Sequence, residues 1–505
     1  MGPEQEYFLI DKKLYDQRPD LLYTGRTLFG AKAPKGQELE DHYFGSIKPR
    51  IAAFMKELDE ELWKLGIPAK TEHNEVAPSQ HELASIYTST NAATDHNQLV
   101  MELMKNVADR HGLVCLLHEK PFAGVNGSGK HDNWSLSTDA GQNLLEPGDS
   151  PQENAQFLLF LAAVIQAVDD YQDLMRVSVA SAGNDHRLGA NEAPPAIVSI
   201  YLGDVLTGIL DSIESGTPYD PQSAGELRVG VHVLPRFPKD ATDRNRTSPF
   251  AFTGNKFEFR MPGASQSIAL TNVVLNTALA DVFSGFSDRL ERAADRDAEI
   301  CALISEVMQK HGRIIYNGNN YSEAWVQEAR RRGLPIIPST VEAFDCLVAP
   351  KNIALFARHG VFTEAECISR HEILLENYVK VVGIEAATLI EMVRRQVYPA
   401  VVRYTGEIAE TVNRMRTAGA AAVSTVRLLD TLTALVDQID SELGALRDAY
   451  ARSQSIEDVH AHAEFMRSDI RLCMESLRAA CDAAETIMDG TCWPMPTYTD
   501  LLLRV

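Results

Sequence analysis

The segment Lys256-Phe257-Glu258-Phe259-Arg260 alternates charge and aromatic ring with a period of two. Only an extended strand separates those two sets cleanly, because its successive side chains point to opposite faces. Lys256, Glu258 and Arg260 then share one face, and Phe257 and Phe259 are buried on the other. A carboxylate held between two cations suits a place where metal and phosphate meet. Taken alone, the segment is better read as an amphipathic strand with a solvated charged face. What changes that reading is that the chain uses the same device twice more.

Glu4-Gln5-Glu6 opens the strand-like run Tyr7-Phe8-Leu9-Ile10. Two carboxylates one residue apart on a strand share a face and repel unless a cation lies between them. In His131-Asp132-Asn133-Trp134-Ser135, the residues His131, Asn133 and Ser135 share a face, directly after the glycine-rich turn Asn126-Gly127-Ser128-Gly129. Such a turn lets backbone approach a ligand closely. A fourth segment, His73-Asn74-Glu75-Val76-Ala77-Pro78-Ser79-Gln80-His81-Glu82, carries two glutamates around a proline that excludes helix. Glu4, Glu6, Glu75, Glu82, Glu258 and His131 together form an oxygen-rich ligand set with one imidazole. That donor set suits Mg²⁺ or Mn²⁺ better than zinc, and cysteine–histidine pairs at zinc spacing are absent.

These motifs, in this order, resemble those of glutamine synthetases over roughly residues 1–340. The long type III form is the variant resembled, on the strength of Asn184-Asp185-His186-Arg187-Leu188-Gly189-Ala190-Asn191-Glu192-Ala193-Pro194-Pro195 and Asp243-Arg244-Asn245-Arg246-Thr247-Ser248-Pro249-Phe250. The resemblance implies an α+β fold: a curved antiparallel sheet with flanking helices, followed by an all-α C-terminal domain. It implies ATP-dependent ligation of ammonia to L-glutamate through γ-glutamyl phosphate, with two divalent ions. By position it assigns Glu6, Glu75 and Glu82 to the ion on the glutamate side, and Glu4, His131 and Glu258 to the ion on the ATP phosphates. Arg260 and Arg246 are implied donors to the transferring phosphoryl group, and Glu192 a flap residue that closes over glutamate and helps deprotonate ammonium. Arg187, Asn126 and Gly127 are implied contacts of glutamate; Asn133, Ser135 and Lys256 are implied contacts of ATP. Shorter members carry another arginine just after the Arg246 position, where this chain reads Pro249-Phe250-Ala251-Phe252, so that contact is expected to be absent or supplied elsewhere, with Arg244 a candidate.

Members of the family place a small β-grasp domain ahead of the Glu-x-Glu strand, whereas here that strand follows Met1 almost at once. The resemblance therefore leads to the expectation of a chain without that domain, which in the family completes a neighbouring subunit's site. Two other readings stand beside the ligase. One is a non-catalytic ATP- and metal-binding or assembly subunit; the other is a γ-glutamyl-amine ligase, against which the 184–195 and 243–250 segments favour ammonia.

Composition narrows the setting. With 48 Lys and Arg against 70 Asp and Glu, the net charge is −22, which disfavours nucleic acid and anionic membrane as partners. Seven cysteines, odd in number and scattered, read as reduced thiols of a cytoplasmic protein. The start has neither the basic nor the apolar region of a signal peptide, and the longest apolar run, 157–165, is too short to span a bilayer. Helices are expected over 91–111 and 154–171, with loops over 216–225 and 235–247. The domains expected are catalytic, 1–340, and helical, 341–505. The second reads as antiparallel helices over 371–403, 406–451 and 456–488, then an extended docked tail from Trp493. The family forms large rings, so a homo-oligomer of stacked rings is expected.

Overall fold

The computed structural model describes residues 1–189, 195–217, 219 and 247–504. Glu192, Arg244 and Arg246, together with most of the two expected loops, lie outside these residues.

Eight strands form one sheet: β1 (Gly2–Asp11), β2 (Ala69–Asn74), β3 (Gln80–Ser85), β4 (Leu113–Leu116), β5 (Lys130–Trp134), β6 (Ile200–Tyr201), β7 (Phe250–Phe252) and β8 (Phe257–Phe259). The order is β2-β3-β1-β5-β8-β7-β6, with β4 paired to β1. Strand β1 is the hinge of this arrangement. One edge pairs with β3; the other pairs first with β5 and then, along its second half, with β4. Pro78 does exclude helix, since β2 and β3 form an antiparallel hairpin around it, with Ser79 at φ 64°. The sheet departs from a purely antiparallel one at β6 and β7, which run parallel. A parallel pair needs a crossover connection, and the helix Gly203–Ser215 lies within it.

Alternation along β1 decides what each face meets. Tyr7 and Leu9 are fully buried against the helices Pro49–Lys64 and Thr90–Arg110, with Phe54, Leu58 and Met104 in the same cluster. Glu4 and Glu6 occupy the opposite face, which turns apolar further along at Phe8 and Ile10. Phe257 and Phe259 of β8 are buried with Trp134, Phe250 and the helices Ala155–Asp170 and Ala269–Arg292. The latter helix, not the 157–165 run, is the one long and apolar enough to cross a membrane among the described residues. Its Val274, Leu275, Ala278 and Leu279 are instead buried in that core.

The C-terminal region is helical, with boundaries that differ from those expected. A helix Glu364–Met392 passes through a five-residue π turn, Val393–Val397, into Tyr398–Thr417, so no break falls near Gly406. The wider turn accommodates Pro399, whose ring would clash with the carbonyl four residues back in a regular helix. The chain reverses instead after Thr417, where Gly419 and Ala422 take positive φ. Val423–Ser453 follows, and a second π turn, Met466–Ile470, interrupts the last long helix before Arg471–Ile487. The tail is not wholly extended: Tyr498–Leu503 is a helix closed by a capping box between Thr497 and Asp500. It docks beside Phe8 and Phe122 through Tyr498, Leu501 and Leu502.

The helical region takes part of its core from the beginning of the chain. Leu28, Phe29, Ala180 and Ala182 are buried with Leu375, Leu389, Leu432 and Leu477. Arg26 fastens the two together, donating to Glu385 from Nε at 2.6 Å and from Nη2 at 2.9 Å in a buried, two-pronged ion pair.

Candidate active site

Four neighbouring strands bring the charged residues to one face. Register places Glu6 opposite Glu82, Glu4 opposite His131, and Asn133 opposite Glu258. His131 Nδ1 lies 3.2 Å from Glu4 Oε2, and Asn133 Nδ2 donates to Glu4 Oε1 at 2.9 Å. Lys256 Nζ donates to Asn133 Oδ1 at 2.5 Å and lies 3.4 Å from Glu258 Oε1. Arg260 closes the row, with Nη2 donating to Glu258 Oε2 at 2.8 Å. The charged face of β8 is thus not a solvated one: Glu258 and Arg260 are each 3% exposed.

Two clusters of potential metal ligands share Glu82. Glu4, Glu82 and His131 offer ligand atoms all within 4.8 Å of one another, and so do His73, Glu75 and Glu82. Glu6 stands beside them, its Oε2 accepting from the Gly129 N–H at 2.6 Å. The charges are strained. Burial, followed by repulsion from Glu4, Glu6, Glu75 and Glu258, holds the Glu82 carboxyl well above its ordinary range. Burial and then Glu75 raise Glu6 as well. Burial would also raise Glu4, yet the hydrogen bonds from His131 and Asn133 and the charges of His131 and Lys256 bring it down to about 2. Four facing carboxylates and two imidazoles, with a shared member destabilised by burial and its neighbours' charge, fit a hard divalent cation such as Mg²⁺ or Mn²⁺. A further acid–histidine cluster, Asp169, Asp170 and His311, lies elsewhere, and Arg313 already neutralises Asp169 there.

The glycine turn is shaped by what passes beneath it. A Cβ on Gly127 would stand 2.3 Å from the Glu119 carbonyl oxygen, and one on Gly129 would stand 2.1 Å from Arg187 Nη2. Gly127 has no room for a side chain, and one at Gly129 would have to displace the buried Arg187 guanidinium. Arg187 is buried beneath the turn and donates to the carbonyls of Arg260 at 3.1 Å and Met261 at 3.1 Å, just past the end of β8. Asn126 is buried too, its Oδ1 accepting from Gln37 Nε2 at 2.7 Å.

Of the residues singled out in the sequence, Glu4, Glu6, Glu75, Glu82, His131, Asn133, Lys256, Glu258 and Arg260 are brought into one network. Ser135 stands apart from it, donating to Asn143 Oδ1 at 2.8 Å and the Asn255 carbonyl at 3.0 Å. Sequence reasoning gave no role to His73, whose Nε2 lies 2.7 Å from Glu75 Oε1 and 3.9 Å from Glu82 Oε1. The signal was available: His73 stands two residues before Glu75 and opposite Glu82 in the hairpin register.

Comparison with known proteins gives a consistent answer. Residues 1–199 match the glutamine synthetase catalytic domain, and residues 299–416 match the glutamine synthetase C-terminal domain. The chain is 46% identical over 518 residues to a glutamine synthetase of Butyrivibrio fibrisolvens, covering 100% of this chain and 72% of that one. It is 45% identical over 511 residues to the type-3 glutamine synthetase of Dictyostelium discoideum, covering 99% and 70% respectively. A glutamine synthetase of Bacteroides fragilis is 44% identical over 516 residues, with 99% and 71% covered.

Proposed function

The chain belongs to the glutamine synthetase family, and on that premise we propose that it joins ammonia to the γ-carboxylate of L-glutamate while ATP is cleaved to ADP and phosphate. The observation that carries the proposal is the pair of ligand clusters sharing Glu82, with the Lys256–Glu258–Arg260 row alongside.

In this reading a γ-carboxylate oxygen of glutamate attacks the γ-phosphorus of ATP, the bond to the bridging oxygen of ADP breaks, and γ-glutamyl phosphate forms. Ammonia then attacks the carbonyl carbon, phosphate leaves with the bridging oxygen, and the nitrogen loses a proton. Glu6, Glu75 and Glu82 would hold one divalent ion, and Glu4, His131 and Glu258 the other, as Mg²⁺ or Mn²⁺. When bound, such ions neutralise the triphosphate oxygens and the carboxylate that attacks them.

The chain's own residues supply position and charge. Arg260 offers fixed guanidinium donors to the phosphoryl oxygens, where a planar cation can bond in two places at once. Lys256 and Asn133 orient the nucleotide, and Ser135 lines its far end. Arg187, Asn126 and Gly127 hold the α-carboxylate and α-amino groups of glutamate. Glu192 would take a proton from ammonium, and Arg246 would add a second phosphoryl donor. Exclusion of water matters because an acyl phosphate exposed to it hydrolyses.

The same reading divides the chain into a catalytic part, 1–340, and a helical part, 341–505, and assembles copies into stacked rings. All seven cysteines are unpaired, which supports a cytoplasmic setting. Oxygen-18 tests the chemistry. With both γ-carboxylate oxygens of glutamate labelled, one label is expected in each phosphate released and one in each amide formed. Unlabelled phosphate would rule out the acyl phosphate route.

A further inference from the structure

A cavity of about 300 Å³ lies between the helical region and the segments that lead into the glycine turn, and nothing in the proposed reaction uses it. Its walls are cationic. Arg26, Lys120, Arg471 and Arg478 line it, with His186, which burial and then Arg26 push well below the ordinary imidazole range, and with Glu475 as the one carboxylate on the wall. Arg471, Met474, Glu475 and Arg478 stand three, four and seven residues apart on one helix, so a single helical face supplies one side. Leu28, Leu389 and Met474 form an apolar strip between the charges.

Some of these cations are committed elsewhere. Arg26 is paired with Glu385, and Arg478 binds Asp482 at 3.1 Å and the Tyr498 hydroxyl at 2.8 Å. Two donors are not. Lys120 is 8% exposed and its ammonium reaches the Val125 carbonyl, with no carboxylate among the described residues within 4.0 Å. Arg471 is paired with Asp185 at 3.4 Å, and its buried Nε makes no further hydrogen bond. A buried ammonium bonded to a carbonyl but to no counter-ion, beside a guanidinium with one donor unused, is a place where an oxyanion would be held. Burial, and then Arg187, bring Lys120 down to about 8, as expected of an ammonium lacking a counter-ion.

We propose that this cavity is a regulatory site for a small oxyanion, a carboxylate or phosphate carried on a short apolar body. Its position gives it a way to act. His186 lines the cavity while the next residue, Arg187, packs beneath the glycine turn and donates to the carbonyls that follow β8. Lys120 leads into the same turn, its Cδ lying 3.3 Å from where a Gly127 Cβ would be. Occupancy is therefore felt at the proposed glutamate contacts, and its effect falls on the KM for glutamate. That kinetic part rests on the function proposed above; the binding part does not.

Isothermal titration without divalent metal, using inorganic phosphate and separately succinate, tests the binding. Saturable binding of at least one probe is expected, and which one binds assigns the phosphate or the carboxylate class. Lys120→Gln should weaken it by about tenfold or more, the loss of one charge-assisted contact. Met474→Glu, which places a carboxylate on the strip, should abolish it, whereas Glu82→Gln in the catalytic cluster should leave it unchanged. No saturable binding of either probe overturns the site. So does equal binding by Lys120→Gln and Met474→Glu, or loss of binding in Glu82→Gln. In the active enzyme, the saturating probe should shift the KM for glutamate by about twofold or more in the parent chain and not in Lys120→Gln. An unmoved KM with binding intact overturns the regulatory role.

Discussion

Glu82→Gln is expected to stabilise the metal-free protein and to cripple its metal binding at once. Glu82 is buried, belongs to both ligand clusters, and faces the charges of Glu4, Glu6, Glu75 and Glu258. Its carboxyl is held above the ordinary value of 4.5, so the native state keeps a proton that the unfolded chain releases. The native state binding more protons means that stability falls as pH rises from about 4.5 through the raised value. Glutamine keeps the shape and removes the titration. The variant should match the parent below pH 4.5 and exceed it by ~1–2 kcal/mol at neutral pH without metal. With Mn²⁺ the order reverses. A lost ligand costs at least the roughly hundredfold in affinity that outer-shell substitutions reach. Urea unfolding across pH, with and without Mn²⁺, reads both signs, and a variant less stable than the parent in both conditions would remove Glu82 from the repelling cluster.

Arg260→Lys is the second large effect. Arg260 is 3% exposed, holds Glu258 through Nε at 3.3 Å and Nη2 at 2.8 Å, and reaches the Ser248 carbonyl at 3.4 Å. Lysine preserves the charge and can keep one contact with Glu258, so the fold should survive. What it cannot keep is a planar fork that bonds Glu258 and a phosphoryl oxygen together. Turnover should fall by about a hundredfold or more, the scale seen when one preorganised donor to a transition state is removed. The KM values for glutamate and ATP should move far less. Steady-state kinetics separates the cases: a change confined to the KM for glutamate would make Arg260 a substrate holder.

How far the sequence disclosed this site depended on the range of the interaction. Alternation in β1, β5 and β8 was legible because a strand's period sets the face of each side chain whatever its partners. The neighbours were not legible in the residues themselves. Glu6 meets Glu82 and Glu4 meets His131 only because β1 lies between β3 and β5, contacts of long sequence separation with no local signature. For the same reason β8 alone looked like a strand with a wet charged face, whereas Arg260 and Glu258 are buried under the chain's own segments. The helical region was legible in type and misplaced in its turns. A break was expected between Arg403 and Gly406, yet the helix entered through the π turn Val393–Val397 continues to Thr417. The terminal helix was readable and went unread, since Thr497-Tyr498-Thr499-Asp500 has the spacing of a capping box. His73 carries a local signal in Glu75, two residues on, whereas its place beside Glu82 follows only from the hairpin.

The most direct test of the central claim is phosphate release from ATP by the purified chain with Mg²⁺, measured as glutamate and ammonium are added singly and together. The account predicts sustained release only when both are present, with one glutamine formed for each phosphate. Release that is equally fast without ammonium, or release that yields no glutamine, would contradict it.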